Sequence, residues 1–194
     1  MVRTPEPELM TDVEQVADYA AADLSEVNGI MPLWFRTCFP EFSQGELLDL
    51  GCGAADMTIR FACAYPDLHA TGIDGSARML AAGRDALHRA GLSSRIALEQ
   101  RLLPDPAWDR TFDAVVASSV LHHLPDPMSL WDTVIQTARP GAPVMVMDLR
   151  RPKSAEDVTR LVERYGAEAR PALRRDFVRI SARGIHDRRS AVST

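Results

Sequence analysis

The residues best suited to chemistry lie in Leu47-Leu48-Asp49-Leu50-Gly51-Cys52-Gly53-Ala54-Ala55-Asp56, an apolar run followed by two glycines and an amphipathic stretch. Read as strand, turn and helix, this is a ligand-binding turn. Gly51 and Gly53 lack Cβ atoms where a ligand approaches the backbone, and a helix beginning near Ala54 offers unpaired N–H groups. Cys52 sits inside the turn, with nothing in sequence to activate it as a nucleophile, and is grouped with the turn as a binding position. Asp74 follows Gly53 by twenty-one residues and closes Thr71-Gly72-Ile73-Asp74-Gly75-Ser76. A carboxylate there can accept both hydroxyls of a ribose. The fingerprint G-x-G-x-x-G would place glycine at position 56, but Asp56 stands there, which disfavours a nicotinamide dinucleotide.

A second candidate group is Leu121-His122-His123-Leu124. Histidine titrates near neutral pH, so His123 or His122 could take a proton from a hydroxyl, nitrogen or carbon acid. The competing reading is a pair of structural loop histidines.

These positions need a scaffold of alternating strands and helices. Short apolar runs predict five strands near Leu47–Leu50, His69–Ile73, Arg95–Glu99, Phe112–Ala117 and Pro143–Leu149. The last two are nearly continuous apolar runs, as expected of parallel strands covered on both faces. Helices are predicted over Ala54–Ala64, Ser76–Ala90, Pro127–Ala138 and Ala155–Tyr165, with Ser76 and Ser154 as caps and Gly91 as a stop. Ahead of them, Thr11 or Asp12 caps a helix through about Ala22, and Ile30–Phe39 forms a short helix ended by Pro40. The pattern is α/β, with a doubly wound, mainly parallel sheet and two N-terminal helices.

The D-x-G-x-G turn, the acid ending strand two, Phe112-Asp113-Ala114-Val115-Val116 followed by Leu121-His122-His123-Leu124, and Arg139-Pro140-Gly141 before strand five together resemble class I S-adenosylmethionine-dependent methyltransferases. The resemblance covers about residues 46–150. It implies a Rossmann-like sheet holding S-adenosyl-L-methionine around Asp49, Gly51 and Gly53, with Asp74 on the ribose. Adenine would stack near Gly75 and Met79, and the methionine part would pass Ser118. Relatives often bond the adenine amino group with an acid after strand three, where this chain has Glu99-Gln100-Arg101-Leu102. The N-terminal helices would form a lid whose Tyr19, Trp34, Phe35 and Phe39 shape an acceptor pocket. Expected units are 1–44 (arm and lid), 45–176 (methyltransferase domain) and 177–194 (basic tail).

The expected activity is methyl transfer to a small molecule. The alternatives are an NAD-dependent oxidoreductase and a truncated methyltransferase-like domain without activity. Composition fits one globular domain: 194 residues, 46% hydrophobic and 25% charged. Its three cysteines form no C-x-x-C pair, so neither a zinc cluster nor a disulfide framework is expected, and a cytoplasmic setting fits. No apolar run approaches membrane-spanning length. Residues 1–30 carry seven acidic groups against Arg3, while residues 150–194 carry twelve basic and six acidic groups. An acidic total with scattered basic residues argues against nucleic acid as partner. Beyond strand five, relatives continue into two further strands, which this chain lacks room for. Residues 177–194 show neither helical nor strand period, whereas permitted synonymous codons for them, read one base later, can spell a threonine-capped amphipathic helix. A frameshifted C-terminus is therefore expected.

Overall fold

A computed structural model describes residues 9–21, 28–149, 152 and 154–165. The expected tail at 177–194 lies outside the described residues. The elements in chain order are α1 (Val13–Ala21), α2 (Ile30–Cys38), β1 (Gly45–Leu50), α3 (Asp56–Ala64), β2 (Leu68–Asp74), α4 (Ala77–Ala90), β3 (Ile96–Gln100), β4 (Ala114–Ser118), α5 (Met128–Thr137), β5 (Val144–Met147) and α6 (Ala155–Tyr165).

The five strands form one parallel sheet in the order β3-β2-β1-β4-β5. This is the expected α/β architecture. Its strand order reverses beside β1, which opens a crevice at the carboxyl ends of β1 and β4.

Side chains alternate across the sheet and build two cores. Leu47, Leu68, Ala70, Ala114 and Val116 face Met31, Phe35, Met57 and Phe61 on one side. Leu48, Leu50, Ile73, Val115 and Ala117 face Trp108, Phe112, Leu130 and Val134 on the other. Asp49 shares the period of Leu47 and therefore points into the first core.

Local chemistry sets the helix ends. Asp12 accepts the Gln15 N–H at 2.9 Å before α1, and Ser76 accepts the Met79 N–H at 3.3 Å before α4. Ser154 does the same for Asp157 at 3.2 Å. Gly91 ends α4 in the left-handed region, at φ 69°. Helix α3 begins at Asp56, two residues later than the sequence predicts, because Ala55 itself is left-handed at φ 65° and cannot be a helical residue. Expected coverage of the last strand on both faces is corrected as well. All four residues of β5 are only half-buried, and β5 is an edge of the described sheet.

The aromatic residues of the N-terminal helices divide. Phe35 is fully buried, 4.9 Å from Phe39 and 5.3 Å from Phe61 between ring centroids, so it and Phe39 are core rather than pocket wall. Trp34 is exposed. Only Tyr19 of the four reaches the crevice.

Candidate functional site

The turn after β1 is held by β2: the N–H groups of Gly51 and Cys52 both donate to the Ile73 carbonyl at 2.9 Å. Gly51 (φ 72°) and Gly53 (φ 54°) adopt backbone that side chains disfavour. A Cβ on Gly51 would overlap Val120 Cγ2, so the loop after β4 closes directly on the turn. Cys52 is buried with its sulfur against the Gly72 backbone, and burial beside Asp49 pushes its thiol well up. It is packing, not a nucleophile.

Three carboxylates surround this turn. Asp74 accepts the Gly53 N–H at 3.0 Å and the Ser76 N–H at 2.7 Å, which fixes the turn against the end of β2. Asp56 opens α3 and accepts from Asn28 Nδ2 and Arg60 Nε, both at 2.8 Å. Asp49 is 1% exposed and accepts from Thr58 Oγ1 at 2.6 Å. Burial raises the Asp49 pKa to about 7 against the pull of Thr58, and Asp74 and Asp56 add to the rise. Tyr19 is pushed up to about 12 by burial and then by Asp56, Asp74 and Asp49. Its hydroxyl therefore stays protonated at neutral pH.

The cleft bounded by Tyr19, Asn28, Asp49, Gly51, Asp56, Ser118 and Ser119 has a volume of about 30 Å³. Ser118 lines one wall, beside Ser119 in left-handed backbone at φ 55°. Met79 Cε lies 3.0 Å from the position of a Cβ on Gly53, and Gly75 lies under Leu9 and Leu102. At the end of β3, Arg101 pairs with Glu99 (2.9 Å) and Asp105 (2.6 Å) and stacks 4.3 Å over the Trp108 ring. Glu99, Arg101 and Asp105, with Gln100, Leu102 and Pro104, line an open hollow of about 500 Å³.

The histidines are unequal. His122 is buried, and its Nδ1 lies 2.7 Å from Asp148 Oδ1. Asp148, just beyond β5, also accepts the Leu121 N–H at 2.7 Å and so fixes the loop after β4. Burial lowers the His123 pKa to about 4, with His122 adding to the fall. Sequence reasoning found both histidines but missed Asp148, which is separated from them by α5 and β5. No spacing rule links the two, although an acid ending an apolar strand is itself a visible signal.

A family profile described as a methyltransferase domain matches residues 48–144. The chain belongs to that methyltransferase-domain family. It is 32% identical over 108 residues to a demethylmenaquinone methyltransferase of Bacillus cytotoxicus, covering 55% of this chain and 46% of that one. It is 34% identical over 104 residues to a 27-O-demethylrifamycin SV methyltransferase of Amycolatopsis mediterranei, covering 53% and 38%. The chain thus spans less than half the length of these curated relatives. Its fold is similar to that of a putative S-adenosyl-L-methionine-dependent methyltransferase from Methanococcus maripaludis, with a TM-score of 0.65, 14% identity and coverage of 86% and 76%. The matched segment of the methyltransferase domain contains the turn, Asp74 and both histidines.

The fit of the family's cofactor can be judged from the turn. Gly51 and Gly53 form a cradle that side chains would fill, the Asp74 carboxylate stands at its edge, and the acidic surround suits a cationic ligand. The chemistry fits, and the space is a separate matter. Among the described residues no helix is long and apolar enough to cross a membrane, and no group of three or more His, Cys, Asp or Glu could hold a metal ion.

Proposed function

We propose that this chain binds S-adenosyl-L-methionine at the Asp49–Asp56 turn and directs its methyl group to a small-molecule acceptor. The carrying observation is the convergence of Asp49, Asp56 and Asp74 on a glycine turn. Their combined field favours a cationic ligand and opposes the pyrophosphate of a dinucleotide, which argues for the sulfonium cofactor over NAD. When bound, that cofactor supplies an electrophilic methyl on a positively charged sulfur.

The residues then divide the remaining work. Asp74 holds the ribose hydroxyls, and Gly51 and Gly53 admit the ligand to the backbone. Tyr19 and Asn28 close over the methionine end, and Ser118 and Ser119 wall it from β4. His122 takes the proton released by the acceptor: its Nδ1–H donates to Asp148, which leaves Nε2 as the basic atom. His123 stays neutral at pH 7, because burial disfavours its charged form. Orientation of the acceptor supplies much of the rate, since the electrophile is already activated. A hydroxyl or an acidic carbon is the acceptor class that needs such a base, and the name of one relative, a 27-O-demethylrifamycin SV methyltransferase, fits a hydroxyl acceptor.

The test is calorimetric titration with S-adenosylhomocysteine, with NAD as control, on the wild-type chain and Asp74→Ala. Binding that Asp74→Ala weakens about tenfold or more, with NAD silent, supports the reading, because one well-placed charged hydrogen bond is of that order. NAD binding, or indifference to Asp74→Ala, overturns it.

A further inference from the structure

Strand β5 closes one side of the described sheet, and its outer edge is open to pairing. The Pro143 and Met147 carbonyls accept from the Val115 and Ser119 N–H groups at 3.0 and 2.9 Å, so these two residues turn their backbone groups toward β4. Alternate residues of a parallel strand bond to opposite sides, which turns the N–H and C=O groups of Val144 and Val146 outward. Val144-Met145-Val146-Met147 carries no charge and pairs with β4 without a bulge. The Pro143 nitrogen faces β4, so it removes no donor from the outer side. Charge, bulge and outward proline, which keep sheet edges apart, are all missing from this strand.

An apolar helix flank lies on the same side of the molecule. Leu130 and Val134 of α5 point into the core, and Gln136 on one flank donates to the Trp108 carbonyl at 3.1 Å. Trp108 lies toward β2 and β3, since Arg101 at the end of β3 stacks over it and Arg110 nearby reaches Thr71 Oγ1 of β2. At about 100° of turn per residue, Met128, Trp131 and Ile135 fall on the opposite flank, toward β5. They are 54%, 38% and 78% exposed. With about 200 Å² for a large side chain, these fractions leave roughly 350 Å² of apolar surface, a size at which exposed patches often mark interaction sites.

We propose that this corner binds a second copy of the chain, with the two β5 edges paired antiparallel about a two-fold axis through Met145. That register sets the outward groups of Val144 against those of Val146 and places Met145 opposite itself, with no charged residue in the seam. The two α5 flanks then meet over one face of a sheet that is continuous across both copies. The chain's own later residues are poorer strand donors: 166–176 contain Pro171 and the charged Glu168, Arg170, Arg174, Arg175 and Asp176, and 177–194 show no strand period. A standard interface takes about 800 Å² from each partner. The α5 patch supplies nearly half of that and a four-residue strand adds a modest share, so the dimer is expected to be reversible, with a micromolar dissociation constant.

The experiment uses the full chain. Sedimentation velocity at up to about 200 μM compares wild type with Ile135→Glu, whose exposed position spares the fold while a charge in the seam should weaken the dimer tenfold or more. Disulfide trapping then reads the register, in a Cys38→Ser, Cys63→Ser background that removes the exposed thiols. In the proposed pairing the two Met145 residues form a non-hydrogen-bonded pair about 4.5 Å apart between Cα atoms, within disulfide reach, whereas the two Met147 residues stand about 13 Å apart. Met145→Cys should therefore cross-link under mild oxidation and Met147→Cys should not, with circular dichroism confirming that both are folded. A wild type that stays monomeric, with no cross-link through Met145→Cys, overturns the proposal and means that the chain covers its own edge. A dimer indifferent to Ile135→Glu, or one that Met147→Cys links as readily as Met145→Cys, overturns it by placing the interface on another face.

Discussion

His122 Nδ1 lies 2.7 Å from Asp148 Oδ1, and both side chains are almost fully buried beside the carboxyl ends of β4 and β5. A carboxylate only accepts hydrogen bonds, so in the neutral ring it fixes the proton on Nδ1 and leaves Nε2 basic. The same Asp148 carboxylate accepts the Leu121 N–H, so one residue sets both the tautomer and the path of the loop.

Asp148→Asn should lower kcat about a hundredfold for a hydroxyl acceptor with little change in KM, the size expected when a positioned general base is lost. Nitrogen-detected NMR of the His122 ring would show the wild-type proton on Nδ1 and a mixed tautomer in the variant. A wild-type ring protonated on Nε2 would contradict the assignment.

Cofactor binding should strengthen as pH rises through about 7. Asp49 has its folded pKa raised to about 7, so it is neutral below that pH and ionised above it. A cationic ligand prefers the ionised form. Titrations at pH 6 and pH 8 should show S-adenosylmethionine gaining about tenfold, while the uncharged sulfur of S-adenosylhomocysteine gains less. Asp49→Asn should remove the difference.

The same group makes an opposite contribution to stability. Because the folded pKa of Asp49 exceeds its ordinary value, the folded state binds more protons between about pH 4 and 7, and stability falls as pH rises through that window. Asp49→Asn keeps an acceptor for Thr58 Oγ1 and carries no charge. Its melting temperature should therefore exceed that of the wild type at pH 8, and the gap should shrink at pH 5.

Gly51→Ala should destabilise the fold by about 2 to 3 kcal/mol, since the new Cβ meets Val120 at a backbone angle unfavourable to side chains. Chemical denaturation would measure it. A loss below about 0.5 kcal/mol would mean that the loop after β4 yields freely.

The fold and half the site were legible in the sequence because they depend on local order. Alternating apolar runs fix strand faces, Ser76 and Gly91 mark helix ends, and the two glycines with Asp74 sit at characteristic distances along one βαβ unit. Where local rules conflicted with tertiary demands, the expectations moved. The start of α3 slipped past left-handed Ala55, and Phe35 went into the core rather than the pocket.

What the sequence by itself determined was the order of the chemical groups: a glycine turn, an acid ending strand two and a pair of histidines along the chain. Tertiary structure alone decided which groups meet. Asp49, Asp56 and Asp74 converge because parallel pairing aligns the ends of β1 and β2, with Asp49 opposite Gly72 in the register. Asp148 reaches His122 because β5 lies beside β4, with Met147 opposite Ser118. Leu9 reaches Gly75 across sixty-six residues, beside the hydrogen bond from Ser76 Oγ to the Met10 carbonyl. Distance along the chain carries no record of such meetings, which are fixed by sheet register and packing.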